Sequence, residues 1–226
     1  INPAYRPYEL EYVLNRVGCK ALITARNFKN SDYVSMLEDL APELLSAKPG
    51  ALYAAKVPKL RTIITVGDGK TPPGALSFKN VLDLGSKVLA VEIDVITGTL
   101  NQNDPINIQF TSGTTGSPKG ACLTHRNIVN NANFVTARMN FTEEDRLCIP
   151  VPFYHTFGMV MGTLGCVTKG STIIVPSEGF DPSETLSAVS NERCTALYGV
   201  PTMFVAELGL ADFDSYDLSS LRTGIM

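Results

Sequence analysis

No run of apolar residues in this 226-residue chain approaches the roughly 18 that a membrane-crossing helix requires. The most lipid-like piece, Met159 to Val167, is short and is punctuated by Gly158, Gly162 and Gly165, so it reads as a buried helix. Basic residues show no surplus either. The formal net charge is −3, which argues against general nucleic-acid binding. The five cysteines, Cys19, Cys122, Cys148, Cys166 and Cys194, contain no C-x-x-C pair, and their odd number and wide scatter indicate neither a zinc site nor a redox pair. Buried free thiols in a reducing compartment are the expected reading. The chain opens Ile1-Asn2-Pro3-Ala4-Tyr5 without a charged-then-apolar leader, and Leu221 to Met226 reads as a strand cut in mid-element. We expect a piece of a longer polypeptide.

What is present is a regular alternation of helix and strand signals, with 44% hydrophobic residues, enough for a sizeable core. Leu10, Val13, Leu14 and Val17 share one helical face before Gly18, and Ala21 to Thr24 is a short buried-type strand. Asp32 to Leu45 reads as a helix interrupted at Pro42, Arg61 to Val66 as a strand, and Phe78 to Leu84 as a short helix. The stretch from Val91 to Asp104 has no clear pattern and is expected to be a linker. Further on, strands are expected at Arg146–Ile149, Ser171–Val175 and Thr195–Tyr198, with helices at 126–139, 157–167 and 201–210. Asp181-Pro182-Ser183-Glu184 is a strong helix start, with a capping aspartate and proline at the first turn. This rhythm predicts an α/β fold with a mostly parallel sheet flanked by helices, and ligands at strand C-termini.

Another absence is local. Nothing from Pro105 to Thr142 is Asp or Glu, while the same window carries Lys119, Arg126 and Arg138. Within it lies Thr111-Ser112-Gly113-Thr114-Thr115-Gly116-Ser117-Pro118-Lys119-Gly120. Glycines at 113, 116 and 120 let a backbone approach a ligand closely, and successive N–H groups in such a turn make a concavity for anions. Ser112, Thr114 and Thr115 add rotatable hydroxyls that serve phosphate oxygens or a hard cation. Lys119 adds a flexible point charge, and Pro118 stiffens the turn. The commonest phosphate-loop pattern, Gly-x-x-x-x-Gly-Lys-Ser/Thr, is not met, because two residues separate Gly116 from Lys119 and Gly120 follows the lysine. A flexible Gly/Ser/Thr linker is the bland alternative. The flanks favour a held loop: Ile106 to Phe110 alternates like a strand, and Ala121 to Thr124 resumes one.

Residues 111–120, with Gln109-Phe110 before them, resemble the phosphate-loop signature of the adenylate-forming enzymes, which include acyl-CoA synthetases, luciferases and peptide-synthetase adenylation domains. Pro152-Phe153-Tyr154-His155-Thr156-Phe157-Gly158 resembles that family's next motif, Tyr198-Gly199-Val200-Pro201-Thr202 its strand-to-helix turn beside the acyl pocket, and Asn2-Pro3-Ala4-Tyr5 with Glu9-Leu10 an upstream helix start. Residues 104–110 and Asn127-Ile128-Val129-Asn130-Asn131 are most similar to the mitochondrial medium-chain fatty acid:CoA ligases within the family.

The resemblance implies that residues 1–226 are part of one large AMP-binding N-terminal domain, with sub-regions 1–104 and 105–226 and without the C-terminal domain. It implies ATP, Mg²⁺ and coenzyme A as reactants and a fatty carboxylic acid as substrate, in mitochondria or otherwise the cytoplasm. Thr111, Ser112, Gly113, Thr114, Thr115, Gly116, Ser117 and Lys119 would then hold the β- and γ-phosphates, with Thr115 near the metal. Lys119, Thr115 and His155 would be the catalytic set, and His155, Phe157, Gly199 and Thr202 would border the carboxylate and acyl pocket. His125 and Arg222 receive no role. The family's aromatic-Gly-x-Thr-Glu and later Thr-Gly-Asp motifs are missing. Val66-Gly67-Asp68 mimics the latter but precedes the phosphate loop, so it reads as a turn. An incomplete ligase, inactive as it stands, is the leading expectation; a stand-alone phosphate-binding module without catalysis is the alternative.

Overall fold

The computed structural model describes residues 1–111 and 118–226. Contacts divide the chain into two units, Ile1–Leu100 with Phe110–Gly120, and Asn101–Gln109 with Ala121–Met226.

The first unit opens with helix α1 (Pro7–Val17). The Glu9 carboxylate accepts the Arg6 N–H at the start of α1, and Gly18 ends the helix at φ 62°, the left-handed conformation that glycine tolerates. Strand β1 (Ala21–Ala25), the small hairpin β2 (Asn27–Phe28) and β3 (Ser31–Asp32), and α2 (Tyr33–Leu40) follow. Pro42 ends the α-helix as the sequence implies and opens a 3₁₀ turn, Pro42–Leu45. Next come β4 (Thr62–Val66), β5 (Leu76–Ser77) and α3 (Phe78–Gly85). Strands β1, β4 and β5 form a parallel sheet in that order, with Ile23 opposite Ile64. Leu14, Leu37, Leu40, Leu44, Leu52 and Ile63 pack into its core. Val66 ends β4 and Gly67-Asp68-Gly69 is a bend, which Arg26 grips through the Gly67 and Gly69 carbonyls.

One expectation in this unit is overturned. Residues 91–104 are not a linker throughout, because Ala90–Thr99 forms helix α4. Val91, Ile93, Val95 and Ile96 are all exposed, so no apolar stripe separates a buried face from a wet one. Periodicity detects a helix only through such a stripe.

Strands β6 (Pro105–Thr111) and β7 (Lys119–Thr124) form a two-stranded ribbon of their own. In the second unit, α5 (His125–Arg138) starts from Thr124, whose hydroxyl accepts the Asn127 N–H. Strand β8 (Arg146–Cys148), a π-helix (Phe157–Leu164), α6 (Gly165–Lys169) and β9 (Thr172–Ile174) follow. Then come α7 (Pro182–Asn191), β10 (Ala196–Tyr198), α8 (Pro201–Leu208) and β11 (Thr223–Ile225). The sheet order is β11-β10-β8-β9, with every pairing parallel. Because strand side chains alternate, Leu147, Ala196 and Tyr198 join one apolar cluster while Cys148 and Leu197 join another. Both faces of this short sheet are buried, as parallel strands require. Among the described residues no helix is long and apolar enough to cross a membrane.

The segment expected as an α-helix from Phe157 is wound more widely, and the Thr163 hydroxyl donates to the Gly158 carbonyl five residues back. Its glycines are contact surfaces. A Cβ on Gly158 would lie 2.5 Å from the Pro152 carbonyl oxygen, a rigid backbone neighbour. On Gly162 it would meet the Ile149 Cδ1 at 2.9 Å, the movable tip of a side chain. Gly158→Ala is therefore expected to destabilise the second unit by about 2–3 kcal/mol, near the top of the overpacking range, with Gly162→Ala costing less. Urea denaturation of the two variants side by side checks the order.

Candidate functional site

Two neighbouring strands of the second unit point their C-terminal ends the same way, yet the chain leaves them in opposite directions. From β8 it runs through the π-helix and α6 to β9 on one flank. From β10 it runs through α8 to β11 on the other. This is a topological switch point, and the crevice outside the strand ends at such a point is where open α/β sheets hold ligands. Four of the residues named from the sequence, His155, Phe157, Gly199 and Thr202, lie on the two connections that leave β8 and β10.

His155 is exposed in the turn entering the π-helix. Its backbone N–H donates to the Pro152 carbonyl at 3.2 Å, and its Nδ1 accepts the Phe157 N–H at 3.1 Å. With Nδ1 occupied as an acceptor, the neutral imidazole carries its proton on Nε2, so His155 presents an N–H donor at its free edge. Phe157 is half-buried, and its ring lies 5.4 Å from that of Tyr198 at a tilt of 32°. Tyr198 is fully buried at the end of β10 and its hydroxyl donates to the Met161 carbonyl at 3.4 Å. Burial, with a smaller contribution from Cys166, pushes the Tyr198 hydroxyl well above its ordinary range, so it is a neutral donor.

Gly199 follows immediately. Its N–H donates to the Ile225 carbonyl at 2.9 Å, and a Cβ there would come within 2.8 Å of the Phe204 ring. Thr202 is exposed in the first turn of α8, where Pro201 starts the helix. The opening of α8 thus offers the Thr202 hydroxyl, while the Met203 and Phe204 N–H groups donate to the Val200 carbonyl.

The phosphate-loop residues fall differently. Ser112, Gly113, Thr114, Thr115, Gly116 and Ser117 lie outside the described residues. Thr111 and Lys119 stand at the tip of the β6–β7 ribbon, both exposed, with the Thr111 hydroxyl donating to the Lys119 carbonyl at 3.4 Å. Lys119 has no salt-bridge partner among the described residues. No group of three or more His, Cys, Asp and Glu side chains among the described residues could hold a metal ion. Of the cysteines, Cys148, Cys166 and Cys194 are buried as expected, Cys19 is half-buried and Cys122 is exposed.

Sequence reading missed three residues that support the strands around this crevice. Tyr198 backs Phe157. Arg222, to which no role was assigned, donates through Nε and Nη2 to the nearly buried Asp145. Glu207 is buried on α8. The Thr142–Asp145 turn is local, its spacing letting the Asp145 carboxylate accept the Thr142 N–H at 2.8 Å. The arginine lies 77 residues away.

A family model described as AMP-binding enzyme matches residues 1–226. The chain is 45% identical over 226 residues to the protein YngI of Bacillus subtilis (strain 168), which covers all of this chain and 41% of that one. It is 46% identical over 231 residues to the mitochondrial medium-chain acyl-CoA ligase ACSF2 of Macaca fascicularis, again across the whole chain and 37% of the relative. Among solved structures, the anthranilate CoA ligase AuaEII in complex with anthranoyl-AMP superposes with a TM-score of 0.79 at 26% identity, over 99% of this chain and 39% of that one. The chain therefore spans about two-fifths of the length of the curated relatives it matches.

Proposed function

Because the chain belongs to the family of AMP-binding enzymes, we propose that it supplies the polyphosphate grip and part of the acyl pocket of an ATP-dependent fatty acid:CoA ligase, as part of one large AMP-binding N-terminal domain. The observation that supports this reading is that His155 and Phe157 follow β8 while Gly199 and Thr202 follow β10, the two strands of the switch point, with the Phe157 ring packed on Tyr198. The acyl-CoA ligase named among the relatives supports the substrate class, and an acyl-adenylate complex among the structural neighbours supports the chemistry.

The reaction joins two anions. A fatty carboxylate attacks the α-phosphorus of ATP, pyrophosphate leaves, and the thiol of coenzyme A then displaces AMP from the acyl-adenylate. Positioning and charge neutralisation should supply most of the rate. In this reading Lys119, Thr111 and the loop between them hold the β- and γ-phosphates. The Nε2–H of His155 faces the carboxylate, and Phe157, Gly199 and Thr202 line the acyl side. Mg²⁺, if it accompanies the phosphates, would take Thr115 as its protein neighbour and supply neutralisation of their charge. A mitochondrial location is proposed with the same reading.

Lys119→Ala should weaken ATP binding by about 10–100-fold, the loss of one charge-assisted contact, as titration calorimetry would read. Unchanged affinity would sink the phosphate grip. These 226 residues alone are expected to make no acyl-CoA, since the adenine- and ribose-binding motifs are absent from the sequence. A longer polypeptide of relatives' length should make it. ATP binding with no acyl-CoA from that longer polypeptide would instead favour the phosphate-binding module.

A further inference from the structure

Helix α8 buries a carboxylate for which the described residues offer no hydrogen-bond partner. Glu207 is 2% exposed, and its Oε1 is buried without a hydrogen bond. The groups around it are not cationic. From the sheet, Cys148 at the end of β8 is near enough to feel its charge, and Cys194 packs in the same apolar cluster as Cys148. The Cys148 thiol is pushed far up, first by its interaction with Cys194, then by burial, and in smaller part by the charge of Glu207. Helix α7 packs on α8, and its one titratable side chain, Glu184, lies in the exposed first turn. Arg222, just before β11, is committed to Asp145. Burial alone pushes the Glu207 carboxyl up to about 7.

Geometry connects this group to the crevice. Glu207 lies three residues after Phe204, so the two share a face of α8. Phe204 packs in the same apolar cluster as Cys148 and Leu197, and its ring closes over Gly199. Cys148 is the last residue of β8, whose continuation carries His155. One helix face therefore touches the ends of both strands that frame the crevice.

We propose that Glu207 is a positioning residue whose neutral form seats α8, closing Phe204 on Gly199, and whose ionisation unseats the helix and shifts the Gly199–Thr202 wall. The carboxylate cannot ionise in place without a partner, so water must reach it, and the least costly route lifts the helix. The proposal rests on the ligase reading only for the identity of what the crevice holds, and it adds proton control of the acyl wall to that reading. The sign follows from the raised value: the seating is complete below the ordinary glutamate range and is lost as pH rises through about 7.

The experiment is amide hydrogen exchange of Gly199–Glu207 in the whole chain, corrected for intrinsic pH dependence, for the wild type and Glu207→Gln. Between about pH 6 and about pH 8.5 the wild type should lose roughly tenfold of its protection in α8, by linkage, while Glu207→Gln stays level. A level wild type, or the same loss in the variant, overturns the proposal. Infrared spectroscopy of the wild type provides a check if the variant does not fold. A protonated-carboxyl band should be present at about pH 6 and gone at about pH 8.5, and its absence at the lower pH also overturns the idea. A failure of ATP binding would remove the ligase reading and leave these readouts standing.

Discussion

Truncating Asp145 to alanine is expected to lower the unfolding free energy of the second unit by about 3–5 kcal/mol, the range for removing one partner of a buried ion pair. Asp145 precedes β8 and gathers five donors, the Thr142 hydroxyl at 3.4 Å being the most distant. Arg222 Nε reaches Oδ1 at 3.0 Å and Nη2 reaches Oδ2 at 2.6 Å. The Thr195 hydroxyl reaches Oδ1 at 2.6 Å, and the Thr142 N–H reaches Oδ2 at 2.8 Å. Thr195 precedes β10 and Arg222 precedes β11, so one carboxylate ties the N-terminal ends of three strands. Arg222 also donates to the Met139 and Asn140 carbonyls, holding the chain that leaves α5. The arginine side chain keeps 41% of its exposure, and water would partly replace the lost partner, so the lower end of the range is expected. Burial acts to raise the Asp145 carboxyl, but Arg222, the Thr195 hydroxyl and the Thr142 N–H together hold it below the usual carboxylate range. Its contribution is present above the unfolded value near pH 4 and is lost as pH falls through the lower folded value. Urea denaturation of the wild type and variant, at neutral pH and below about pH 4, should show the difference shrinking in acid.

Tyr198→Ala should cost a comparable amount, about 3–5 kcal/mol, as large-to-small changes of buried aromatics do. Tyr198 has no exposed surface, fills the space between β10 and the π-helix, and is the packing partner of Phe157. Tyr198→Phe keeps the ring and loses only long contacts of the hydroxyl to the Met161 carbonyl and the Met139 sulfur, so about 1 kcal/mol or less is expected. The pair separates packing from polarity. If both variants cost the same, the hydroxyl and not the ring is what matters. Aromatic NMR signals of Phe157 should broaden in the alanine variant and stay sharp in the phenylalanine one, because only the first leaves its ring unsupported.

Local chemistry was legible wherever the deciding partner lies within a turn of the chain. Asp181 caps α7 by accepting the Glu184 N–H at 2.9 Å, and Gly18 closes α1, both as spacing implied. The β-branched runs at 62–66 and 172–174 became strands, and helices between them made the sheets parallel. What sequence could not supply was order. Phe157 and Tyr198 are 41 positions apart in the chain, and their rings meet because β10 inserts beside β8 on the side away from β9. Helix α4 escaped notice because its apolar residues all face water. Glu207 escaped because a glutamate on a helix usually marks a solvated face, and only packing shows that this one has none.

The Asp145–Arg222 tie holds the second sheet at the end opposite the crevice. Diversity can then be introduced at one end while the fastening at the other stays intact. A library randomised at 153–157 and 200–203, with Gly158, Tyr198 and the tie left alone, should yield a high fraction of folded members that differ in the ligands they accept. The same layout suits this strand-end region to receive loops grafted from other members of the family, with the fastened end as the constant frame.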